Sequence, residues 1–174
     1  MRTSRKAAVR DAADPVLQRI ITKLQLNTAK GVQEAAEEIC LRCKGTKQGL
    51  DRIGLECKEE AIVRRSAMGT AEVMGLIVSA MSTWSDASIQ TCCCLALAVL
   101  MTGESLATTR QAAVAAGAVP AIIESIHTFE RALEAYYDAG GGDGDEELAK
   151  WAMGAFSALE ALTVKRSARE ASAI

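Results

Sequence analysis

The sequence predicts an all-α chain built from repeated helical units. Residues 64–81 align without a gap on residues 110–127, at a shift of 46. That shift falls within the roughly 40–47-residue period of helical solenoid repeats. The 174 residues are 49% hydrophobic but only 3% aromatic, so the apolar mass is Ala, Leu, Ile, Val, Met and Cys. Small side chains let helices approach closely, whereas a sandwich or barrel calls for more β-branched and aromatic residues. Just two prolines and long Ala-rich stretches leave the helices uninterrupted.

Residues 1–13 read as a basic lead-in. Asp14-Pro15 then signals a helix start, with the acid at the cap and proline at the first helical position. Val16, Ile20, Ile21 and Leu24 follow at helical spacing, and Asn27-Thr28 ends the helix. A second helix runs from Lys30 to Cys43, with Val32, Ala35, Ala36, Ile39, Cys40 and Cys43 on one side, and Gly45 stops it. Residues 46–57 read as a connector. A short helix from Lys58 to Met68 breaks at Gly69-Thr70, Glu72 to Met81 forms the next, and Asp86 caps a helix from Ala87 to Met101. After Gly103 the cycle restarts with Leu106 to Ala116, breaks at Gly117, and continues through Ala118 to Phe129 and then Glu146 to Thr163.

The chain thus divides into a degenerate first repeat plus connector (14–57), a second repeat (58–105), a third repeat (106–163) and a tail or further unit (164–174). The third repeat carries an acidic, Gly-rich insertion at 130–147. Each unit is too thin to bury its apolar side alone, so the periodicity predicts an α-solenoid of about three repeats.

Gly117-Ala118-Val119-Pro120-Ala121-Ile122-Ile123 resembles the armadillo repeat family's entry into its middle helix, Gly-Gly-Ile-Pro-x-Leu-Val. Ala152-Met153-Gly154-Ala155-Phe156-Ser157-Ala158-Leu159 is similar to that family's third helix, Ala-Cys-Gly-Ala-Leu-x-Asn-Leu. The resemblance implies a right-handed superhelix that holds partner segments, extended or helical, in a groove lined by the third helices. The family's backbone-clamping asparagine falls on Arg42, Val99 and Ala158, and its import-receptor tryptophan on Glu38, Leu95 and Gly154. Neither residue type is kept, so binding of nuclear localisation signals is not expected.

The same frame predicts a groove floor of Glu34, Glu38 and Arg42, then Thr91, Leu95 and Val99, then Lys150 and Gly154. Such a floor, charged at one end and apolar to small at the centre, suits an apolar segment or packed helix. A frame shifted by one residue would instead send Leu95 and Val99 into the core. Tyr136 and Tyr137 in the insertion are a second candidate contact, because aromatic residues are favoured in interface hot spots.

Other chemistries find little support. The net charge of −2 gives no electrostatic footprint for nucleic acid, although residues 1–65 carry +5 and residues 66–174 carry −7. No apolar run reaches the length of a membrane span; the longest, Cys92 to Met101, reads as a buried helix. Asp138 is one residue too far from Asp143-Gly144 for a calcium loop. His127 is the only histidine and has no nucleophile–base–orienter set around it, so no catalytic residue, metal ligand or cofactor is expected. Buried reduced thiols at Cys92, Cys93 and Cys94 fit a reducing, cytoplasmic compartment. The basic start, Met1 to Arg10, shares its charge pattern with organelle transit peptides.

A non-catalytic protein-interaction scaffold or adaptor is therefore the expected function. Two alternatives stay open: a structural subunit of a larger assembly, and a thiol-based redox or metal sensor using Cys40, Cys43 and Cys57. Trp151, Met153, Phe156, Leu159 and Leu162 crowd the last long helix, which predicts an exposed apolar patch at the C-terminal end. Such a patch would drive self-association or docking into a larger complex.

Overall fold

The computed structural model describes residues 14–44, 63–102, 107–138, 140 and 146–163, and all regular structure among them is helical. The lead-in 1–13, the connector 46–57 with Cys57, and the tail 164–174 lie outside the described residues.

Helix α1 (Pro15–Leu26) begins as its sequence dictates: the Asp14 carboxylate accepts the Val16 N–H at 2.9 Å. It ends at Asn27, whose backbone turns left-handed at φ 44°. Helix α2 (Ala29–Lys44) follows at once, with the Thr28 hydroxyl accepting the Gly31 N–H at 3.1 Å. Residues 63–68 form the described part of α3. Thr70 then caps α4 (Ala71–Thr83) through the Val73 N–H, and Asp86 caps α5 (Ala87–Met101) through the N–H groups of Ser88 and Ile89. Each cap satisfies amides that the first turn of a helix leaves without partners.

Helix α6 (Ala107–Ala115) turns at Gly117, whose φ of 86° suits a residue without a Cβ, into α7 (Ala118–Asp138). Helix α8 (Glu146–Thr163) has the bounds expected from its sequence. Helix α7 is longer than expected and continues through Asp138 rather than stopping at Phe129. Residues 130–138 hold no glycine or proline and keep Ala132 and Leu133 half-buried. Arg131 also ties back along the helix to the His127 carbonyl at 3.3 Å and to the Glu124 carboxylate at 3.0 Å. The insertion therefore opens as helix, and residues 139 and 141–145 lie outside the described residues.

Packing arranges these helices in two layers. Helix α5 lies between α2 and α8, and its contact with α8 is the most extensive in the molecule. Helix α4 packs against α5 from the other layer, where it also meets α1, α6 and α7. The position of α5 explains its burial on nearly every side: Ile89, Cys93, Cys94, Leu97, Leu100 and Met101 are all core residues.

Arginines of the short helices fasten the ends. Arg65 donates to the Cys43 carbonyl at 3.1 and 3.3 Å and to the Thr102 carbonyl at 2.7 Å, and Arg110 donates to the Met101 carbonyl at 3.1 Å. Both place a cation where a helix ends in unpaired carbonyls.

Among the described residues no single helix is long and apolar enough to cross a membrane; α6 and α7 reach that measure only as a pair, and they are bent by 68°.

Candidate functional site

The face formed by α2, α5 and α8 on the side turned away from α4 is where the predicted groove residues must be judged. On α2 the predicted column is engaged in ion pairs. The Glu34 carboxylate meets Lys23 of α1 at 2.8 Å and Lys30 at 3.9 Å, and its pKa is lowered chiefly by the Lys23 hydrogen bond. Glu38 pairs with Arg19 of α1 and with Arg42 at 3.2 Å. Burial raises the Glu38 pKa, but the hydrogen bonds from Arg19 and Arg42 outweigh it, and the net shift is downward. Glu34 and Glu38 thus bind α1 to α2, while Arg42 supports Glu38 from within α2. Leu41, two turns beyond Glu34 on the same face of α2, is 73% exposed.

On α5 the predicted column is in place but mostly closed. Thr91 is buried, its hydroxyl donating to the Ala87 carbonyl at 2.8 Å, and Val99 is only 8% exposed within the core. Leu95 remains half-buried and reaches the surface.

On α8 the frame shifts by one residue. Gly154 is buried against α5, where an added Cβ would lie 3.3 Å from the Thr91 carbonyl oxygen and 3.4 Å from Leu95 Cγ. Glycine here sets how closely α8 approaches, and Lys150 lies one turn before it, exposed. The side chains that point away from the core are Met153, 67% exposed, and Phe156, 61% exposed.

Leu41, Met153 and Phe156 are the large apolar side chains that α2 and α8 leave exposed, with half-buried Leu95 on α5 between those helices, and of the four only Leu95 belongs to the predicted groove floor. Met153 and Phe156 belong instead to the apolar patch expected on the last long helix, and they are its exposed members.

The predicted C-terminal patch is corrected at its centre. Trp151 is 1% exposed, packed edge-on against Phe129 at 5.7 Å, and its indole N–H donates to the Ser125 hydroxyl at 2.8 Å. Leu159 and Leu162 are half-buried against the core. Tyr136 and Tyr137 meet edge-on at 5.9 Å near the end of α7, with Tyr137 exposed. They belong to a helix of the other layer and do not join the outer face.

Four of the thiols, Cys43, Cys92, Cys93 and Cys94, are poorly placed for redox chemistry. Burial pushes Cys43 and Cys94 up to about 11, the latter in spite of a hydrogen bond to Ser125, and it also raises Cys92 and Cys93. A thiol kept protonated is a weak nucleophile and a weak ligand. Among the described residues no group of His, Cys, Asp and Glu side chains is arranged to hold a metal ion. His127 is exposed and pairs with Glu130 at 3.2 Å.

No protein family, curated protein or solved structure matches this chain when it is compared with them.

Proposed function

We propose that the chain is an armadillo-like α-solenoid acting as a non-catalytic interaction scaffold. It would hold an apolar helix or extended segment of a protein partner across the outer face of α2, α5 and α8. The observation that carries this reading is the exposure of Leu41, Met153 and Phe156 beside half-buried Leu95 on three helices that pack side by side. Water gains nothing from such a surface, and contiguous apolar patches commonly mark contact sites.

The repeated order supports the solenoid part of the proposal. A short helix, a bend and a middle helix occur at 63–83 and again at 107–138, each followed by a long helix. In both cases an arginine of the short helix reaches carbonyls at the end of the preceding long helix.

Selection from a displayed peptide library tests the function. The expected winners carry apolar side chains at helical i, i+3/i+4 and i+7 spacing or at alternate extended positions. Phe156→Asp and Met153→Asp, both at exposed sites, should weaken a selected peptide at least about ten-fold, as a lost hot spot does. Val114→Asp, exposed on α6, should leave binding unchanged. Selection of basic peptides, or equal binding by all three variants, would refute the reading.

A further inference from the structure

The α4–α5 pair has neighbours on both sides, α1 and α2 on one and α7 and α8 on the other, and it exposes no large apolar side chain. The α7–α8 pair meets α4, α5 and α6, and among the described residues nothing further packs on it extensively. It leaves Ile123, Tyr137, Met153 and Phe156 exposed, half of the large apolar side chains exposed among the described residues. Helical geometry turns two of these away from α5. Ser125 of α7 accepts the Cys94 thiol of α5 at 3.8 Å, and Ile123 lies two residues away, about 200° around the helix. Gly154 of α8 abuts Thr91 and Leu95 of α5, and Phe156 lies about 200° around by the same count. On α7 the side of Ile123 continues through Glu130, Glu134 and Tyr137, all within about 40° of it. This stripe is apolar at both ends and acidic between them.

Charge separates the two ends of the stack. Helix α7 holds four acids against one arginine, and α8 three against one lysine. Arg131 pairs with Glu124, outside the stripe. At the opposite end α1 holds Arg19 and Lys23 and no acid, and α2 holds three basic and three acidic residues. Each rim carboxylate there serves two cations, Glu38 both Arg19 and Arg42, Glu34 both Lys23 and Lys30. The rim therefore keeps a net positive charge. Arg42 is also turned away from the stack. Cys40, two residues before it, interacts electrostatically with Cys93 of α5, so Arg42 lies nearly opposite α5.

We propose that the α7–α8 end of one copy docks on the α1–α2 end of a second copy, head to tail, so that the contact between neighbouring helix pairs within the chain is repeated between chains. Ile123, Tyr137 and Phe156 supply the apolar contact, and Glu130 and Glu134 face the rim of Arg19 and Arg42. Two acidic ends repel each other, which disfavours a symmetric pair joined through α7 and α8. A head-to-tail contact uses two different surfaces, so each added copy leaves one of each kind open, and growth continues unless a ring closes. The proposal does not rest on the outer face, which Ile123 and Tyr137 do not join.

Sedimentation velocity of the full chain across micromolar to millimolar concentrations tests this. The average mass is expected to climb past that of a dimer and to fall as salt rises, because salt screens the opposed rims. Ile123→Asp and Phe156→Asp, both at exposed positions, should each weaken association about ten-fold or more. Arg19→Glu with Arg42→Glu should weaken it several-fold from the other end. Mixed one to one, the Ile123→Asp chain and the doubly reversed chain should form a dimer and stop there, because each retains one intact end. Circular dichroism checks each fold; if Ile123→Asp unfolds, Phe156→Asp takes its place. Ile123→Asp should bind peptides selected on the outer face as the unmodified chain does, so the two proposals fail separately. A strict monomer overturns the proposal. So does a dimer that stops at two and tightens with salt, since its copies share the same acidic end. Unaltered association in both Ile123→Asp and Phe156→Asp would overturn it as well.

Discussion

The joint between α1 and α2 and the joint between α7 and α8 solve one problem by different means. Each must hold a middle helix against the long helix that follows it. The first combines small buried residues, Ala35 and Ala36 against Ile20 and Leu24, with a charged rim in which Glu34 and Glu38 reach across to Lys23 and Arg19. The second buries Trp151 whole against Phe129 and anchors it on Ser125. Rim ion pairs exchange good hydration for a modest attraction and contribute little. A buried indole contributes its large apolar area, but it also carries an N–H that cannot be left unpaired. The C-terminal joint therefore depends on one residue, and the N-terminal joint on many small ones.

The most direct way to break this contrast is Trp151→Ala, expected to cost about 3–5 kcal/mol by chemical denaturation. Ser125→Ala should cost about 1–3 kcal/mol, because it strands the indole N–H in the core. At the other joint, Arg19→Ala should cost only about 0.2–1 kcal/mol, and the difference should vanish in molar salt. A larger loss there than at Ser125 would overturn the comparison.

The smallest effect is a pH dependence. Folded Glu34 and Glu38 both titrate below the ordinary carboxylate value of 4.5. The unfolded chain therefore takes up protons first as the pH falls. Their contribution is complete at neutral pH, begins to fade near 4.5 and is lost through the lower folded values. Glu34→Gln with Glu38→Gln should flatten that acid limb of the stability curve.

Helix ends were legible wherever a single residue sets them locally: Asp14, Asn27 and Asp86 each act within one turn of their own position. The end of α7 was not legible, because the glycines beyond residue 139 colour the composition of a stretch that is itself free of breakers. The outward face of α8 was obscured for another reason. Both of its sides carry large apolar residues, Trp151 on one and Met153 with Phe156 on the other, so periodicity does not say which side is buried. Phe129 and Ser125 decide it, and they lie more than twenty residues away. Helix α5 gives no directional signal because it is enclosed on nearly every side.

Asn27 limits which substitutions this corner of the molecule can accept. Its backbone lies at φ 44° and ψ 40°, a region open mainly to Gly, Asn and Asp. Its side chain donates to Thr83 Oγ1 at 3.2 Å and accepts the Trp84 indole N–H at 3.0 Å. Glycine would suit the backbone and forfeit both bonds; aspartate would keep the indole and lose the donor to Thr83. Every other residue meets strain before it meets either partner. Positions 27, 83 and 84 therefore constrain one another, and a change at any one of them removes what favours the residues at the other two.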